Sequence, residues 1–125
     1  MNVNTTILKE FGEMRPLSTS YAQLAHVYDR FMSDAPYDLW VQYAKSEWEH
    51  YQFTPEKVMD LACGTGNISI RLAEMGYQVT GIDLSSDMLA MTQDKAQQAG
   101  VRLNLYQQDM REFISPEPVD SIVCF

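Results

Sequence analysis

The feature that most constrains this chain is the run KVMDLACGTGNISIRLAEMGYQVTGIDLSSDML at residues 57–89. An apolar strand ends near Asp60, a loop with Gly64 and Gly66 precedes a helix, and a second strand ends on Asp83. Glycine adopts positive φ without a Cβ clash, so such a loop can bring bare backbone against a ligand. Asp83 follows Gly66 by seventeen residues, where a carboxylate can accept hydrogen bonds from two ribose hydroxyls. The run therefore predicts a site for an adenosine-bearing cofactor.

The local charge favours a cationic cofactor over an anionic dinucleotide. A Gly-x-Gly pair found alone is usually an ordinary turn, and a single acid after a strand is usually a helix cap. When both occur in the order strand, glycine loop, helix, strand and acid, they favour a cofactor site. A dinucleotide loop has a third glycine, and this chain has Ser69 at that position. No Lys or Arg lies within 61–70, whereas Asp60, Asp83 and Asp109 lie at the ends of three predicted strands. Since pyrophosphate is anionic, this acidic edge favours a positively charged ligand.

The segments DLACGTGN at 60–67 and GIDLSSDML at 81–89 resemble the class I S-adenosylmethionine-dependent methyltransferases. The resemblance extends from about residue 21 to residue 125, and a further segment, YQQDMREF at 106–113, resembles the family's next element. It implies a Rossmann-like, doubly wound parallel α/β sheet, with about four strands of a seven-stranded core preceded by two helices. It also implies S-adenosyl-L-methionine as methyl donor and S-adenosyl-L-homocysteine as product, with an unidentified methyl acceptor.

The resemblance also assigns cofactor contacts. Asp60 and the loop 62–66 would hold the methionine part, and Asp83 would take the ribose hydroxyls. Leu84 and Met88 would lie against the adenine, while the Asp109 carboxylate and the Met110 N–H would reach its polar atoms. In the first helix, Tyr21 and Tyr28 would offer hydroxyls to the methionine end and Phe31 would exclude water. The implied cofactor-binding residues are Tyr21, Asp60, Ala62, Cys63, Gly64, Thr65, Gly66, Asp83, Leu84, Met88, Asp109 and Met110.

No catalytic residue is assigned by these patterns. In methyl transfer the cofactor supplies the electrophile, so the protein's main tasks are to bind the cofactor, to align the acceptor with the methyl–sulfur bond and to exclude water. Asp120, at the start of the last predicted strand, is a weak candidate for a general base, and a capping or turn role suits it better. No cluster with metal-ligand spacing is present, and His26 and His50 are isolated.

Hydrophobic periodicity predicts strands alternating with helices. Strands are predicted at 57–61, 78–83, 101–107 and 120–125, and helices at 21–32, 38–52, 67–75 and 87–99. Gly76 and Gly100 end the last two helices, and Ser85 or Ser86 caps the fourth. The aromatic and aliphatic stripes of the first two helices are interpreted mainly as core, and Asp29 and Arg30 as paired with each other or facing solvent.

The composition indicates the cellular compartment and the classes of partner to expect. Nine basic residues against seventeen acidic ones, without a basic stripe, argue against nucleic-acid binding by this segment. No stretch is apolar enough for a membrane span or a secretory signal, so no membrane partner is expected. Two cysteines, one in the glycine loop and one in a strand, suggest reduced thiols and a cytoplasmic protein.

The predicted domain organisation has two parts. Residues 1–20 form a tail or a docking segment, with a short helix at about 7–11 as one option, and residues 21–125 form the N-terminal portion of a methyltransferase domain. That portion comprises a helical cap at 21–52 and a cofactor-binding βαβ core at 57–125. The last strand has the character of a buried strand, so we expect the acceptor to bind a C-terminal half, and the exposed edge at 120–125 to self-associate, swap or pair with its continuation. An NAD(P)-dependent oxidoreductase domain and a non-catalytic cofactor-binding module are the alternatives.

Overall fold

The computed structural model describes residues 17–125, with side chains described from Leu24 onward. The predicted helix at 7–11 and the side chain of Tyr21 lie outside the described residues. Four helices and four strands follow the predicted order, with ends that differ from the predictions by a few residues. The helices are α1 (Leu17–Phe31), α2 (Tyr37–His50), α3 (Asn67–Glu74) and α4 (Ser86–Ala99), and the strands are β1 (Lys57–Leu61), β2 (Gln78–Asp83), β3 (Leu103–Gln107) and β4 (Ser121–Val123).

The four strands form one parallel sheet in the order β3-β2-β1-β4. From β1 the chain adds β2 and then β3 on one side of the sheet, and it then returns to add β4 on the other side of β1. The direction in which strands are added therefore reverses between β1 and β4. In such sheets a ligand crevice forms beyond the carboxyl ends of the strands at the point of reversal. The register aligns Asp60 with Gly81 of β2 and with Val123 of β4. The topology confirms the predicted α/β class and locates the crevice beside the carboxyl end of β1.

The hydrophobic core lies on the face of the sheet that carries Val58, Val79 and Leu103, which are neighbours in the register. Side chains alternate between the two faces along each strand, so residues that are neighbours in the register of parallel strands share one face. Buried residues of the helices pack against them: Tyr37, Val41 and Ala44 from α2, Ile68, Ile70 and Leu72 from α3, and Ala96 from α4. At about 25 cal/mol per Å² of buried apolar surface, each fully buried aliphatic side chain contributes about 1.5–3 kcal/mol.

The opposite face carries Met59 and Thr80. The segment between β3 and β4 passes over it, because Glu117 accepts a hydrogen bond from the Thr80 hydroxyl at 2.9 Å. The α2 helix is joined to the edge strand β4 by the Trp48 indole, whose Nε1 donates to Ser121 Oγ at 3.0 Å. These contacts hold the sheet between the helical layer and the crossing segment.

The structure corrects the predicted orientation of α1. Its apolar stripe was expected in the core, but Val27, Tyr28 and Phe31 are 37%, 41% and 82% exposed, whereas Ala25 is 1% exposed. From Leu24 onward the helix therefore buries a small residue fully, while Val27 and Tyr28 are only partly covered and Phe31 faces outward. In α2 the prediction is partly confirmed: Ala44 is buried, and Trp40 and Trp48 pack against the core, while Tyr43 and Tyr51 are exposed.

Candidate cofactor site at the carboxyl edge

The loop between β1 and α3 makes an unusually sharp connection. Three of its residues have positive φ: Ala62 at 59°, Gly64 at 57° and Gly66 at 83°. Gly66 immediately precedes α3, so the helix begins directly from the loop. The loop therefore turns sharply at Ala62 as well, where a non-glycine residue occupies the left-handed region and its Cβ costs about 1–2 kcal/mol.

Gly66 is required by packing as well as by its backbone angles. A Cβ added there would lie 2.5 Å from Cγ2 of Thr92, a buried residue of α4. The Thr92 hydroxyl in turn donates to the Gly64 carbonyl at 2.7 Å. The loop is thus held closely against α4, which explains the glycine at this position.

Asp83, at the end of β2, holds the loop from the other side. One carboxylate oxygen accepts the Gly64 N–H at 2.8 Å and the other accepts the Ser85 N–H at 2.9 Å. An ionised carboxylate has about four acceptor positions, so both oxygens keep capacity for further donors. Ser85 then caps α4 by accepting the Met88 N–H at 3.2 Å, as one of the two predicted options. The role predicted for Asp83 at a ribose stays a prediction.

Asp60 is a buried carboxylate, 3% exposed, in the strand that precedes the loop. Its Oδ2 accepts the hydroxyl of Ser69, itself fully buried, at 2.6 Å. Burial raises the pKa of Asp60 to about 6, with the nearby charge of Asp83 acting in the same direction and the Ser69 hydroxyl opposing it. The sequence indicated Ser69 only as the residue in place of a third glycine, whereas the structure shows that its hydroxyl donates to Asp60.

Cys63 and Cys124 are both free thiols, but only Cys63 lies in the loop. Its N–H donates to the Ile82 carbonyl at 2.9 Å, which extends the β1–β2 pairing into the loop. Burial raises the pKa of the Cys63 thiol well above its ordinary range, and the charges of Asp60 and Asp83 raise it further. Cys63 is therefore a neutral thiol, and its contribution to the site is through packing and backbone.

The segment after β3 lies beside the end of β2, as the predicted position of Asp109 requires. The Gln108 N–H donates to the Asp83 carbonyl at 3.1 Å, and the Gln107 side chain donates to the Leu84 carbonyl at 3.0 Å. The Asp109 carboxylate is engaged by Arg111, with Nη2 at 2.6 Å from Oδ2. These hydrogen bonds lower the pKa of Asp109 to about 2, so it is ionised.

Two apolar side chains expected at an adenine are accessible at this edge. Leu84 is 56% exposed and Met110 is 45% exposed, and both belong to segments that follow the carboxyl ends of strands. Met88 is half-buried on the first turn of α4. Exposed apolar side chains beside ionised carboxylates suit a ligand with a flat apolar ring and polar edges.

The structure brings together four polar residues that the sequence argument did not combine. Asp29 of α1 accepts the hydroxyl of the buried Thr65 at 2.7 Å and the Asn67 amide at 3.1 Å. Lys95 of α4 places Nζ at 3.1 Å from both oxygens of Asp29. The expectation that Asp29 pairs with Arg30 or faces solvent is therefore wrong. Residues 61–70 contain no Lys or Arg, but Lys95 brings a cation to the loop from a distant part of the chain.

Asp120 lies at the opposite end of the sheet from these residues. Its Oδ2 accepts the N–H groups of Glu56 and Lys57, both at 2.9 Å, at the amino end of β1. Those hydrogen bonds lower its pKa. The weak hypothesis of a general base is wrong for this residue, and the alternative of a capping acid is confirmed.

Within residues 17–125, no group of three or more His, Cys, Asp or Glu side chains is arranged to hold a metal ion. None of the helices described there has the length and apolar character that crossing a membrane requires.

Comparison with known proteins agrees with this geometry. YqeM of Bacillus subtilis (strain 168), whose name assigns it to the methyltransferases, is 52% identical over 94 residues, covering 74% of this chain and 35% of the relative. A relative from Geobacillus sp. (strain WCH70), assigned to the same class, is 36% identical over 107 residues, with 85% and 43% covered. The chain thus spans less than half the length of these relatives.

A solved structure supports the fold over most of the chain. The S-adenosylmethionine-dependent methyltransferase of Clostridium acetobutylicum ATCC 824 superimposes with a TM-score of 0.72 at 28% identity, covering 83% of this chain and 43% of that one. Residues 58–125 match the family described as Methyltransferase domain, which confirms the resemblance to the class I enzymes. The chain belongs to the methyltransferase domain family.

Proposed function

We propose that this chain forms the cofactor-binding portion of an S-adenosyl-L-methionine-dependent methyltransferase. The observation that carries the proposal is the glycine loop at the carboxyl edge of the sheet, with the buried Asp60 in the strand that leads into it and the Asp83 carboxylate bonded to its Gly64 N–H. The cofactor is a cation with an ammonium group and a sulfonium, and ionised carboxylates at a strand edge are its natural partners. The relatives named above and the Clostridium structure support the same assignment.

The described residues fit the cofactor in their chemistry. Asp60 and residues 62–66 would hold the methionine part, and Asp83, which keeps free acceptor capacity, would take the ribose hydroxyls. Leu84 and Met88 would cover the adenine, and Asp109 with the Met110 N–H would meet its polar edge. When bound, S-adenosyl-L-methionine supplies an activated methyl group and leaves as S-adenosyl-L-homocysteine. The chain's own residues bind and orient it and exclude water from its methyl-bearing end.

The hydrogen bonding of the loop argues against the dinucleotide alternative. A pyrophosphate site presents several loop N–H groups to the ligand. Here the N–H groups of Cys63, Gly64 and Gly66 already donate to the Ile82 carbonyl, the Asp83 carboxylate and the Cys63 carbonyl. With those donors engaged and a buried acid in the strand before the loop, an anionic phosphate pair has little to bind.

The partners and the compartment are part of the same proposal. The methyl acceptor would bind outside the residues described here, and neither a membrane nor a nucleic acid is proposed as a partner of this segment. The edge strand β4, with Ile122 at 52% exposure, would pair with a further strand, either of the same protein or of a second copy. Two free thiols support a cytoplasmic location.

Calorimetric titration tests the proposed cofactor directly. S-adenosyl-L-homocysteine should bind the parent protein and NAD should not. Asp83→Ala should weaken binding by about 1.5–3 kcal/mol, which is roughly 10-fold to 150-fold, because charge-assisted hydrogen bonds to the ribose are lost. Binding of NAD in place of S-adenosyl-L-homocysteine, or unchanged affinity in the variant, would contradict the proposal.

Asp120→Ala is the matched control for this substitution. Asp120, like Asp83, accepts two backbone N–H groups, but it does so at the opposite edge of the sheet. Its loss should lower thermal stability without changing the affinity for S-adenosyl-L-homocysteine. A fall in affinity equal to that of Asp83→Ala would mean that the titration reports loosening of the fold.

A further inference from the structure

Four side chains connect the first helix to the glycine loop and to α4. We call them the Asp29–Lys95 network; its members are Asp29, Thr65, Asn67 and Lys95. Lys95 Nζ donates to both oxygens of Asp29 at 3.1 Å and to Asn67 Oδ1 at 2.9 Å. The Asn67 amide donates to Asp29 Oδ1 at 3.1 Å and to Thr65 Oγ1 at 3.2 Å. The network therefore cross-links three elements that are far apart in sequence.

The network is the main polar attachment of α1 in the described part of the chain. Among residues 24–31 the helix contributes Ala25 to the buried residues, while Val27 and Tyr28 are partly exposed and Phe31 faces outward. Within residues 24–31, Ala25 is small and buries little apolar surface, so the hydrogen bonds of Asp29 are an important attachment of this part of α1. Side-chain relative exposures of 25% for Lys95 and 30% for Asp29 mean that this ion pair is shielded more than an ordinary surface pair.

The network also holds the part of the loop that a cofactor would meet. Thr65 and Asn67 flank Gly66, whose Cα lies too close to Thr92 to carry a side chain. Thr65 is 1% exposed and donates its hydroxyl to Asp29. If Asp29 moves away with α1, that hydroxyl loses its acceptor, and a buried polar group without a partner is unfavourable. The position of α1 and the conformation of the loop are therefore energetically coupled.

We propose that Asp29 and Lys95 are positioning residues for cofactor binding, which dock α1 against the glycine loop and hold Thr65 and Asn67 in the binding conformation. The inference rests on the proposed function, since the loop is the proposed site for the methionine part of the cofactor. Neither residue needs to touch the cofactor for this role. Coupling between sites is reciprocal, so bound cofactor must stabilise the docked position of α1 to the same extent.

Substitutions within the network test its effect on affinity. Lys95→Met and Asp29→Asn should each weaken S-adenosyl-L-homocysteine binding about tenfold in calorimetry, within the usual range for coupled sites. The double variant should be about as weak as either single variant, because both remove the same interaction. Lys95→Arg keeps a cationic donor and should restore most of the affinity. Lys45→Met, which removes an exposed pair with Glu49 on α2, is the control and should bind like the parent.

Amide hydrogen exchange provides a second readout that needs no cofactor. In the ligand-free protein, Lys95→Met should raise exchange in residues 17–31 and in residues 62–67 together, whereas Lys45→Met should raise neither. In the parent, S-adenosyl-L-homocysteine should protect residues 17–31, and Lys95→Met should abolish that protection. Unchanged affinity in both single variants, or faster exchange in α1 with an unaltered loop, would overturn the inference. Failure of the parent to bind S-adenosyl-L-homocysteine would instead refute the proposed function, and the ligand-free exchange would still decide whether the network couples helix and loop.

Discussion

Replacing Asp60 by asparagine should remove a specific pH dependence from the folding stability of this protein. Burial raises the pKa of Asp60 from an ordinary value of 3.8 to about 6, so the folded state holds that proton more tightly than the unfolded chain does. Its contribution to stability is therefore complete below about pH 4 and is lost as the pH rises through about 6. At about 1.4 kcal/mol per pKa unit, the loss amounts to about 3 kcal/mol.

The measurement is urea unfolding followed by tryptophan fluorescence between about pH 4 and pH 7.5. Asparagine keeps an oxygen that can accept the Ser69 hydroxyl but has no ionisable group. The unfolding free energy of the parent minus that of Asp60→Asn should therefore fall by about 3 kcal/mol across this range. A difference that stays constant with pH would refute the assignment of a raised pKa to Asp60.

Ser69→Ala provides an independent check on the cause of the shift. The Ser69 hydroxyl donates to the ionised carboxylate and lowers the pKa of Asp60, against the effect of burial. Its removal should move the loss of stability to higher pH, since the charged form is then less favoured. Ser46→Ala, which removes an exposed serine hydroxyl on α2, should leave the pH window where it is in the parent.

The same titration should appear in cofactor binding. An ammonium group requires the ionised form of Asp60, so the affinity for S-adenosyl-L-homocysteine should rise about tenfold as the pH rises through about 6. Asp60→Asn should bind weakly at all pH values. An affinity in the parent that is independent of pH from about 5 to 7.5 would separate Asp60 from the binding of the amino group.

Three other substitutions have defined expected outcomes in urea unfolding. Gly66→Ala should lower the free energy of unfolding by about 2–4 kcal/mol, because the alanine would have a positive φ and would be overpacked against Thr92. Gly100→Ala has a similar φ but open space around it, so it should lower the free energy of unfolding by about 1 kcal/mol. Equal losses in the two variants would contradict the close contact between Gly66 and Thr92. Ala62→Gly should raise stability by about 0.5–1 kcal/mol, because relief of the left-handed strain exceeds the entropy that glycine gains in the unfolded chain, and a loss would argue against the positive φ. Ser85→Ala should cost about 1 kcal/mol by removing the N-cap of α4, and no change would mean that the cap is not formed.

Much of the secondary structure could be predicted because its signals are local. The bounds of β1 and β2 agree with the alternation of apolar residues and the flanking turn residues, and Gly100 ends α4 in the left-handed region as predicted. The α1 helix was located by its periodicity, but its orientation was not. Its sequence marks one apolar stripe, but the helix contacts α4 and buries Ala25, and this choice of face depends on the packing of distant elements.

Sequence alone determined the chemical type of the site: a strand, a glycine loop, a helix and a second strand that ends on an acid, all within residues 57–89. These features follow from short-range backbone preferences, which are readable along the chain. Only the tertiary structure decided which groups those acids meet. The Ser69 hydroxyl donates a hydrogen bond that offsets part of the free energy lost by burying the Asp60 carboxylate. Lys95 bonds Asp29, which is 66 residues away in the sequence. Hydrogen bonds and charges depend on distance in space, and distant residues become neighbours only when the sheet and helices pack.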